Sequence, residues 1–224
     1  MMRLEYLINQ LREIIVFPKN ILRFFNLINI NYNLDGKINF GCKKTNTFFL
    51  KILKQCKSYF EYGSGNSTII AHKLKKIYLS AESDKNFSLY LKKKLKLNIL
   101  ENNFGLVKFY SRPLFEKIRK NELKKKSLKY AKSIKTFTRK HKFPDLILID
   151  GRCRILCALM IHKELNNYKK KKFLIILDDY KNRDHYSIIN KFFYIKKIGR
   201  FAIIRKRKKI DINKYVKTYI NDFR

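Results

Sequence analysis

Short apolar runs and helical patterns alternate along the chain from about residue 45 onwards. The runs that we predict as strands lie at Ser58–Tyr62, Lys76–Ala81, Leu106–Tyr110, Asp145–Asp150 and Phe173–Leu177. Segments with a helical period lie at about residues 45–56, 67–75, 85–97, 152–168 and 183–191. This alternation predicts βαβ units, and therefore a parallel sheet with helices on both faces.

Two of the predicted strands are apolar at every position instead of at every second one. They contain Leu146-Ile147-Leu148-Ile149 and Leu174-Ile175-Ile176-Leu177. Because a strand that is covered on both faces needs apolar residues throughout, we expect both of them in the centre of the sheet.

The last two predicted strands differ from the others in their connection. Phe192–Lys196 and Phe201–Arg205 are separated by a short turn that contains Gly199. This turn is too short for a crossover helix, so the two strands must be antiparallel. With a final helix over about residues 211–223, the predicted fold is α/β: a doubly wound, mostly parallel Rossmann-like sheet with a C-terminal antiparallel hairpin.

The beginning of the chain has amphipathic helical patterns, at about residues 3–16 and 19–29. Charged residues interrupt its apolar positions, and no run approaches the roughly 18 apolar residues of a membrane span. We therefore predict an N-terminal helical extension at residues 1–44, a Rossmann-like domain at residues 45–224 and a cytoplasmic location. The extension is expected to pack on the domain, and peripheral contact with a membrane surface is the alternative.

The composition adds a strong positive charge to this picture. The 224 residues include 53 Lys and Arg against 17 Asp and Glu, a net charge of +36, yet 46% of the residues are hydrophobic and can form a core. Nucleic acid is one partner that such a charge suggests, because Lys and Arg neutralise phosphates. Codon drift in an A/T-rich genome explains the same composition, and the basic runs are dispersed over different elements, which favours a solvated surface.

A more specific signal lies at residues 61–68, Glu-Tyr-Gly-Ser-Gly-Asn-Ser-Thr. A predicted strand here ends in an acid, turns through two glycines and enters a helix. Glycines permit a tight turn and close approach of a ligand, while the helix N-terminus offers unpaired N–H groups. Dinucleotide-binding enzymes carry a third glycine at the position of Thr68, so the alternative of an NAD-dependent oxidoreductase is weakened.

The acid-x-Gly-x-Gly arrangement resembles the first motif of class I S-adenosylmethionine-dependent methyltransferases. This resemblance implies that Gly63 and Gly65 face the methionine part of the cofactor and that Glu61 helps to hold its ammonium group. Ser67 stands where a third glycine is frequent in that family. The predicted cofactor-binding residues are Glu61, Gly63, Ser64, Gly65, Ser67, Thr68, Glu82 and Asp150.

Glu82 belongs to this set because of its spacing. It follows the second predicted strand, about twenty residues after Glu61, where a carboxylate accepts hydrogen bonds from ribose hydroxyls. Asp84, two residues further on, is predicted to cap the next helix.

Three further acids follow predicted strands, namely Asp150, Asp178 and Asp179. Ligands of open α/β sheets bind beyond the carboxyl ends of the strands, so we expect these carboxylates to converge at the site. Binding of Mg²⁺ by Asp150 and one of the other two would resemble the layout of catechol-type O-methyltransferases. That layout normally has Asn after the last acid, and Tyr180 stands here, so we assign no metal ligand.

Several motifs together resemble a little-characterised group of bacterial methyltransferase-like proteins. They lie at residues 61–68, 150–154, 178–180, 183–186 and 199–202, and the resemblance covers about residues 58–206. It implies a methyl transfer from S-adenosylmethionine to oxygen or nitrogen of an unidentified small-molecule or glycan-type acceptor. A noncatalytic basic module that binds RNA or an anionic membrane surface is the alternative.

Few side chains are available for the chemistry of methyl transfer. We predict Asp150, Asp179 and His185 as catalytic residues, with His185 as a general base. Arginines recognise anions through bidentate contacts, and the predicted acceptor-binding residues are Arg152, Arg183, Tyr186 and Asp178. The family often contacts adenine after strand three, where Tyr110-Ser111-Arg112 stand, so residues 113–142 are expected either to recognise adenine or to form a lid.

Overall fold

The computed structural model describes residue 32 and residues 34–102, 113–168 and 172–222, without the side chains of residues 94, 113–120 and 206. Seven strands of the described chain form one sheet in the order β3-β2-β1-β4-β5-β7-β6. The strands are β1 Ser58–Tyr62, β2 Ile77–Glu82, β3 Ile99–Glu101, β4 Leu146–Ile149, β5 Leu174–Leu177, β6 Phe193–Ile198 and β7 Phe201–Arg207. Strands β1 to β5 are parallel, and β7 pairs antiparallel with both β5 and β6. The predicted fold class, including the C-terminal hairpin, is confirmed.

Helices connect these strands and cover both faces of the sheet. The α-helices are α1 Lys43–Gln55, α2 Asn66–Lys73, α3 Lys85–Leu95, α4 Pro113–Ala131, α5 Ile134–Lys140, α6 Arg154–Glu164 and α7 Asn213–Tyr219. Two 3₁₀ helices lie at Leu165–Asn167 and Asp184–Lys191, so the predicted helix at residues 183–191 has the tighter winding. None of the described helices is both long enough and apolar enough to cross a membrane.

The central strands β4 and β5 explain the continuous apolar runs of the sequence. Ile147 and Ile149 pack into the core on one face of the sheet, and Leu146 and Leu148 into the core on the other. The four residues of β5 alternate between the same two cores. Both strands therefore bury both faces, as their composition predicts.

The structure contains a short third strand that the sequence pattern does not predict. β3 is Ile99–Glu101, which pairs parallel with β2, whereas the predicted strand Leu106–Tyr110 lies outside the described residues. A strand of three residues is too short to show a period of two, so this edge strand gives no recognisable pattern. The position that follows the third strand is consequently Asn102.

The cationic segment 113–142 forms helices α4 and α5. Tyr130, Ala131, Ile134 and Phe137 of this segment are buried in the core on one face of the sheet. The part of the segment that contains these four residues is therefore packed against the sheet. The predicted N-terminal helices at residues 3–16 and 19–29 lie outside the described residues.

Candidate cofactor and acceptor site

The turn after β1 passes close to the turn after β4. Gly63 has a φ of +90°, and a Cβ there would lie 2.7 Å from Cα of Gly151 and 2.8 Å from the carbonyl oxygen of Asp150. Both the left-handed backbone and this close approach require glycine. The first glycine of the motif therefore allows the ends of β1 and β4 to meet.

Gly65, the second glycine, has a different environment. Its backbone is extended, with a φ of 175°, and no heavy atom of the described residues, chain neighbours aside, lies within 4 Å of the position of a Cβ. Gly65 is also the N-cap of α2. The bare backbone of the turn thus faces open space beside a helix N-terminus, where a ligand can approach closely.

The carboxylate of Glu61 lies beneath this turn and is completely buried. Tyr59 and Ser67 each donate a hydrogen bond of 2.6 Å to its Oε2, and Thr68 donates to Oε1. Burial raises the pKa of Glu61, and the hydroxyl donors oppose this rise. Since Thr68 also accepts from the backbone N–H of Gly65 at 2.9 Å, Glu61 holds the turn against α2. It presents no exposed surface to the cofactor ammonium group that the resemblance assigns to it.

Glu82 links the end of β2 to the same turn. Its Oε2 accepts from the backbone N–H of Ser64 at 2.9 Å, and its Oε1 accepts from those of Ser83 and Asp84 at 2.6 and 2.9 Å. Burial raises the pKa of Glu82, against the effect of these N–H donors. A carboxylate has about four acceptor positions, so Oε2 retains capacity for a hydroxyl donor. Glu82 therefore stands beside the glycine turn, with an acceptor position left for a ligand.

Two neighbouring polar residues complete this side of the site. Asp84 caps α3, because its Oδ1 accepts from the backbone N–H of Phe87 at 2.9 Å. Asn102 follows β3; its backbone N–H donates to the carbonyl oxygen of Glu82 at 2.7 Å, and its Nδ2 donates to Ser133 at 3.0 Å. An amide side chain thus follows the third strand, next to Glu82, instead of the Ser-Arg pair expected from the sequence.

The acids at the ends of β4 and β5 come together around two arginines. Arg154 Nη2 lies 3.0 Å from Asp150 Oδ1, and Arg154 Nη1 lies 3.4 Å from Asp179 Oδ2. Arg200 Nε lies 2.7 Å from Asp178 Oδ1, and Arg200 Nη2 contacts Asp179. The predicted convergence of three carboxylates is present, with guanidinium groups between them.

Asp150 has a raised pKa in this cluster. Burial and the neighbouring charge of Asp178 raise its pKa to about 8, while the charge of Arg154 opposes the rise. One third of its side chain is exposed. A carboxylate with these properties can accept a proton near neutral pH.

The predicted acceptor-binding residues divide into accessible and enclosed ones. Arg152 is exposed, and Arg183 is half-exposed and donates to Asp179 Oδ2 at 2.8 Å. Asp178 and Tyr186 are each only 1% exposed, because the first is held by Arg200 and the second packs into the core. These two present almost no surface in this arrangement, and their role in acceptor binding stays a prediction.

His185 lies on the 3₁₀ helix beside Tyr186. The two ring centroids are 4.1 Å apart, and the ring planes are inclined by 54°. His185 is partly exposed, and its role as a general base stays a prediction.

The structure makes Arg154 and Arg200 the centre of the acidic cluster, a position that the sequence pattern does not reveal for either residue. Arg154 also donates to the carbonyl oxygens of Gly151 and Asp178 at 3.0 and 2.8 Å. The signal was present, since both arginines belong to the motifs at residues 150–154 and 199–202. Their partners lie on other elements, so only the tertiary structure shows what they bind.

Magnesium does not fit this arrangement. Among the described residues, no group of three or more His, Cys, Asp and Glu side chains is placed to hold a metal ion. Arg154 and Arg200 already neutralise the converging acids, and a divalent cation would have to displace these guanidinium groups. We therefore derive no step through a metal.

Comparison with known proteins adds information on the fold. A crystal structure of a methyltransferase-like protein from Silicibacter pomeroyi DSS-3 is similar over 84% of this chain and 100% of that chain, with a TM-score of 0.64 and 21% sequence identity. MycE, a methyltransferase of the mycinamycin biosynthetic pathway whose structure contains Mg, SAH and mycinamycin VI, matches 84% of this chain and 53% of its own, with a TM-score of 0.39 and 10% identity. No protein family model and no curated protein matches the chain. The chain therefore has a methyltransferase-like fold.

Proposed function

We propose that this protein is an S-adenosylmethionine-dependent methyltransferase that acts on an oxygen or nitrogen of a small-molecule or glycan-type acceptor. The observation that carries the proposal is the contact between Glu82 and the backbone N–H of Ser64 at 2.9 Å. It joins the acid after β2 to the glycine turn after β1, and Gly65 leaves the space beside that turn open. A diol-binding acid next to a bare turn and a helix N-terminus suits a nucleoside with a charged tail.

In the proposed site, the cofactor lies along the ends of β1, β2 and β4. Glu82 accepts hydrogen bonds from the ribose hydroxyls, and the backbone at Gly63, Ser64 and Gly65 contacts the methionine part. Glu61, Ser67 and Thr68 act beneath this backbone by fixing the shape of the turn. When bound, S-adenosylmethionine supplies a methyl group on a cationic sulfur.

The acceptor side of the proposed site is formed by the cluster after β4 and β5. In its deprotonated form, Asp150 would accept the proton that the acceptor oxygen or nitrogen loses when it takes up the methyl group supplied by a bound S-adenosylmethionine. Asp179 holds Arg183 in place for this arrangement, and His185 is a second candidate base. Arg152 and Arg183 are the accessible cations, so an acceptor with a carboxylate or phosphate group suits them.

Isothermal titration with S-adenosylmethionine and with NAD tests the cofactor assignment. We expect the wild-type protein to bind S-adenosylmethionine and not NAD. The variant Glu82→Gln keeps one oxygen for an N–H donor but loses the charge, and we expect it to weaken S-adenosylmethionine binding by about tenfold, the effect of roughly 1.4 kcal/mol.

Glu101→Gln is the matched control, because Glu101 pairs with Glu82 in the sheet register but forms an ion pair with Lys92. It should change the affinity by less than about twofold. Binding of NAD in place of S-adenosylmethionine, or equal affinities of the wild type and Glu82→Gln, would contradict the proposal. A mass increase of one methyl group on an incubated metabolite would then identify the acceptor.

A further inference from the structure

A cavity of about 430 Å³ lies between β3 and the helices α4 and α5. Leu100 and Leu128 form its apolar part, and Asn102, Ser133 and Thr136 contribute neutral polar groups. All its other lining residues are basic: Lys125, Lys129, Lys132, Lys135 and Arg139. Of these ten residues, Asn102 also stands next to Glu82 in the candidate cofactor site. The other nine are assigned to neither the proposed cofactor site nor the proposed acceptor site.

The positive charges around this cavity have no acidic partner in the described part of the chain. The acid nearest to them along α4, Glu122, forms its ion pair with Lys126 at 2.8 Å, and Lys126 does not line the cavity. Elsewhere, Arg154 and Arg200 have carboxylate partners. Like charges that share a concave surface repel one another, so an anionic ligand would relieve this repulsion.

The spacing of the basic residues along the two helices places their side chains next to the cavity. Lys125 and Lys129 are four residues apart on α4, which places them on one face of that helix, and Lys132 lies in the turn between α4 and α5. Lys135 and Arg139 have the same relation, four residues apart, at α5. Two rows of cations therefore flank one cavity, and a ligand with at least two phosphates could reach both rows.

The positive charge of this cavity does not suit the proposed cofactor. S-adenosylmethionine has a cationic sulfur, an ammonium group and a carboxylate, so its net charge is positive and a pocket with five cations repels it. The two leucines, by contrast, offer apolar contact to the flat base of a nucleotide. The volume lies within the roughly 300–1,000 Å³ of small-molecule sites.

We propose that this cavity is a second ligand site, which binds a nucleotide that carries two or more phosphates. The basic side chains of α4 and α5 hold the phosphates, and Leu100 and Leu128 contact the base or sugar. Asn102 can also contribute hydrogen bonds, and its backbone N–H connects the cavity to Glu82 at 2.7 Å. The same chemistry is present in a free nucleoside polyphosphate and in RNA.

Isothermal titration of the full chain at about 0.15 M salt tests this site with uridine, UTP and a ten-nucleotide oligouridylate. These probes lack adenosine, so they do not compete for an adenosine site. We expect UTP or the oligouridylate to bind at least tenfold more tightly than uridine. Tighter binding of UTP assigns the site to free nucleotides, and tighter binding of the oligouridylate assigns it to RNA.

The double variant Lys129→Glu/Lys132→Glu should weaken binding of these phosphate-containing probes by at least tenfold. The control Lys51→Glu/Lys54→Glu changes two exposed lysines of α1 with the same spacing and the same change of net charge, so it should stay within about twofold of the wild type. Lys129→Gln/Lys132→Gln should give a smaller loss in the same direction, and it replaces the first double variant if that protein does not fold.

Three results would overturn this site. They are no binding of UTP or oligouridylate up to about 1 mM, equal losses in the Lys129/Lys132 and Lys51/Lys54 variants, and a loss of S-adenosylmethionine affinity in the Lys129/Lys132 variants. The last result would place the cavity in the cofactor site. Because S-adenosylmethionine binding is measured separately, the nucleotide site and the proposed methyltransferase function can fail independently.

Discussion

The two glycines of the turn after β1 have opposite structural requirements. A side chain at Gly63 would need a left-handed backbone and would meet the backbone at Asp150 and Gly151. A side chain at Gly65 would enter open space from an extended backbone. Glycine at position 63 is therefore required for the fold, whereas glycine at position 65 leaves space for a ligand.

Alanine substitutions should separate these roles. We expect Gly63→Ala to lower the free energy of unfolding by about 2 kcal/mol or more, because of backbone strain and steric overlap. Gly65→Ala should leave the stability within about 0.5 kcal/mol and weaken S-adenosylmethionine binding. Urea unfolding and isothermal titration measure the two effects. Equal stabilities of Gly63→Ala and the wild type would contradict the first expectation, and unchanged cofactor affinity of Gly65→Ala the second.

Asp150 should make stability depend on pH in a definite direction. Its folded pKa, about 8, lies above its usual value of 3.8. Between these values the unfolded chain releases the proton and the folded protein retains it, so the stability that Asp150 contributes is present at low pH and is lost as the pH rises towards 8.

The variant Asp150→Asn isolates this effect, because its amide oxygen can still accept from Arg154. We expect its stability relative to the wild type to increase by about 1 kcal/mol between pH 5 and 8. This is less than the full pKa shift implies, since one third of the Asp150 side chain is exposed to water. Chemical unfolding across this pH range measures the difference in free energy of unfolding between the variant and the wild type. The titrations of Glu61 and Glu82 occur in both proteins, so they cancel in this difference. A constant difference would show that the pKa of Asp150 is unperturbed.

At the scale of elements, Arg200 connects the hairpin to the centre of the sheet. It lies in the turn between β6 and β7, and its side chain binds Asp178 and Asp179 at the end of β5. Its carbonyl oxygen also accepts from the backbone N–H of Tyr180 at 2.8 Å. The antiparallel end of the sheet is therefore joined to the parallel part by an ion pair as well as by strand pairing.

Removing this side chain should be costly, because Asp178 is buried. We expect Arg200→Met to lower the free energy of unfolding by about 3 kcal/mol, the effect of leaving a buried charge without its partner. Arg152→Met is the control: Arg152 is exposed, so its replacement should change stability by less than about 0.5 kcal/mol. Similar urea midpoints for the two variants would refute a structural role of the Arg200 ion pair.

Central strands and edge strands of this sheet differ in how well their bounds can be predicted from the sequence. The sequence predicts the bounds of β4 and β5 within one residue at each end, because central strands are continuous apolar runs. β3 was missed, because its three residues pair with β2 through backbone groups that leave little trace in the side-chain pattern. Asn102, which follows β3, is therefore a site residue that the sequence pattern does not indicate.

At the scale of the whole molecule, the net charge of +36 acts on stability. Repulsion among the dispersed basic residues destabilises the compact state, and dissolved salt screens this repulsion. We expect the unfolding temperature to rise by a few degrees when NaCl is increased from about 20 to 500 mM, which corresponds to roughly 1 kcal/mol for a domain of this size. Circular dichroism melting curves measure this, with KCl as a control for ion-specific effects. A lower unfolding temperature at high salt would mean that attractive ion pairs outweigh the repulsion.

The sequence by itself determined the order of elements, the antiparallel hairpin and the acids that follow the strands. These features depend on local patterns: apolar period, turn length, and the spacing between Glu61 and Glu82. Only the tertiary structure decided which of those acids are accessible, because Glu61 is enclosed by hydroxyl groups of β1 and α2, and Asp178 by an arginine of the turn between β6 and β7. It also decided where positive charge collects, since α4 and α5 bring dispersed lysines around one cavity. Burial and charge balance depend on distances between elements, and these distances are set by packing.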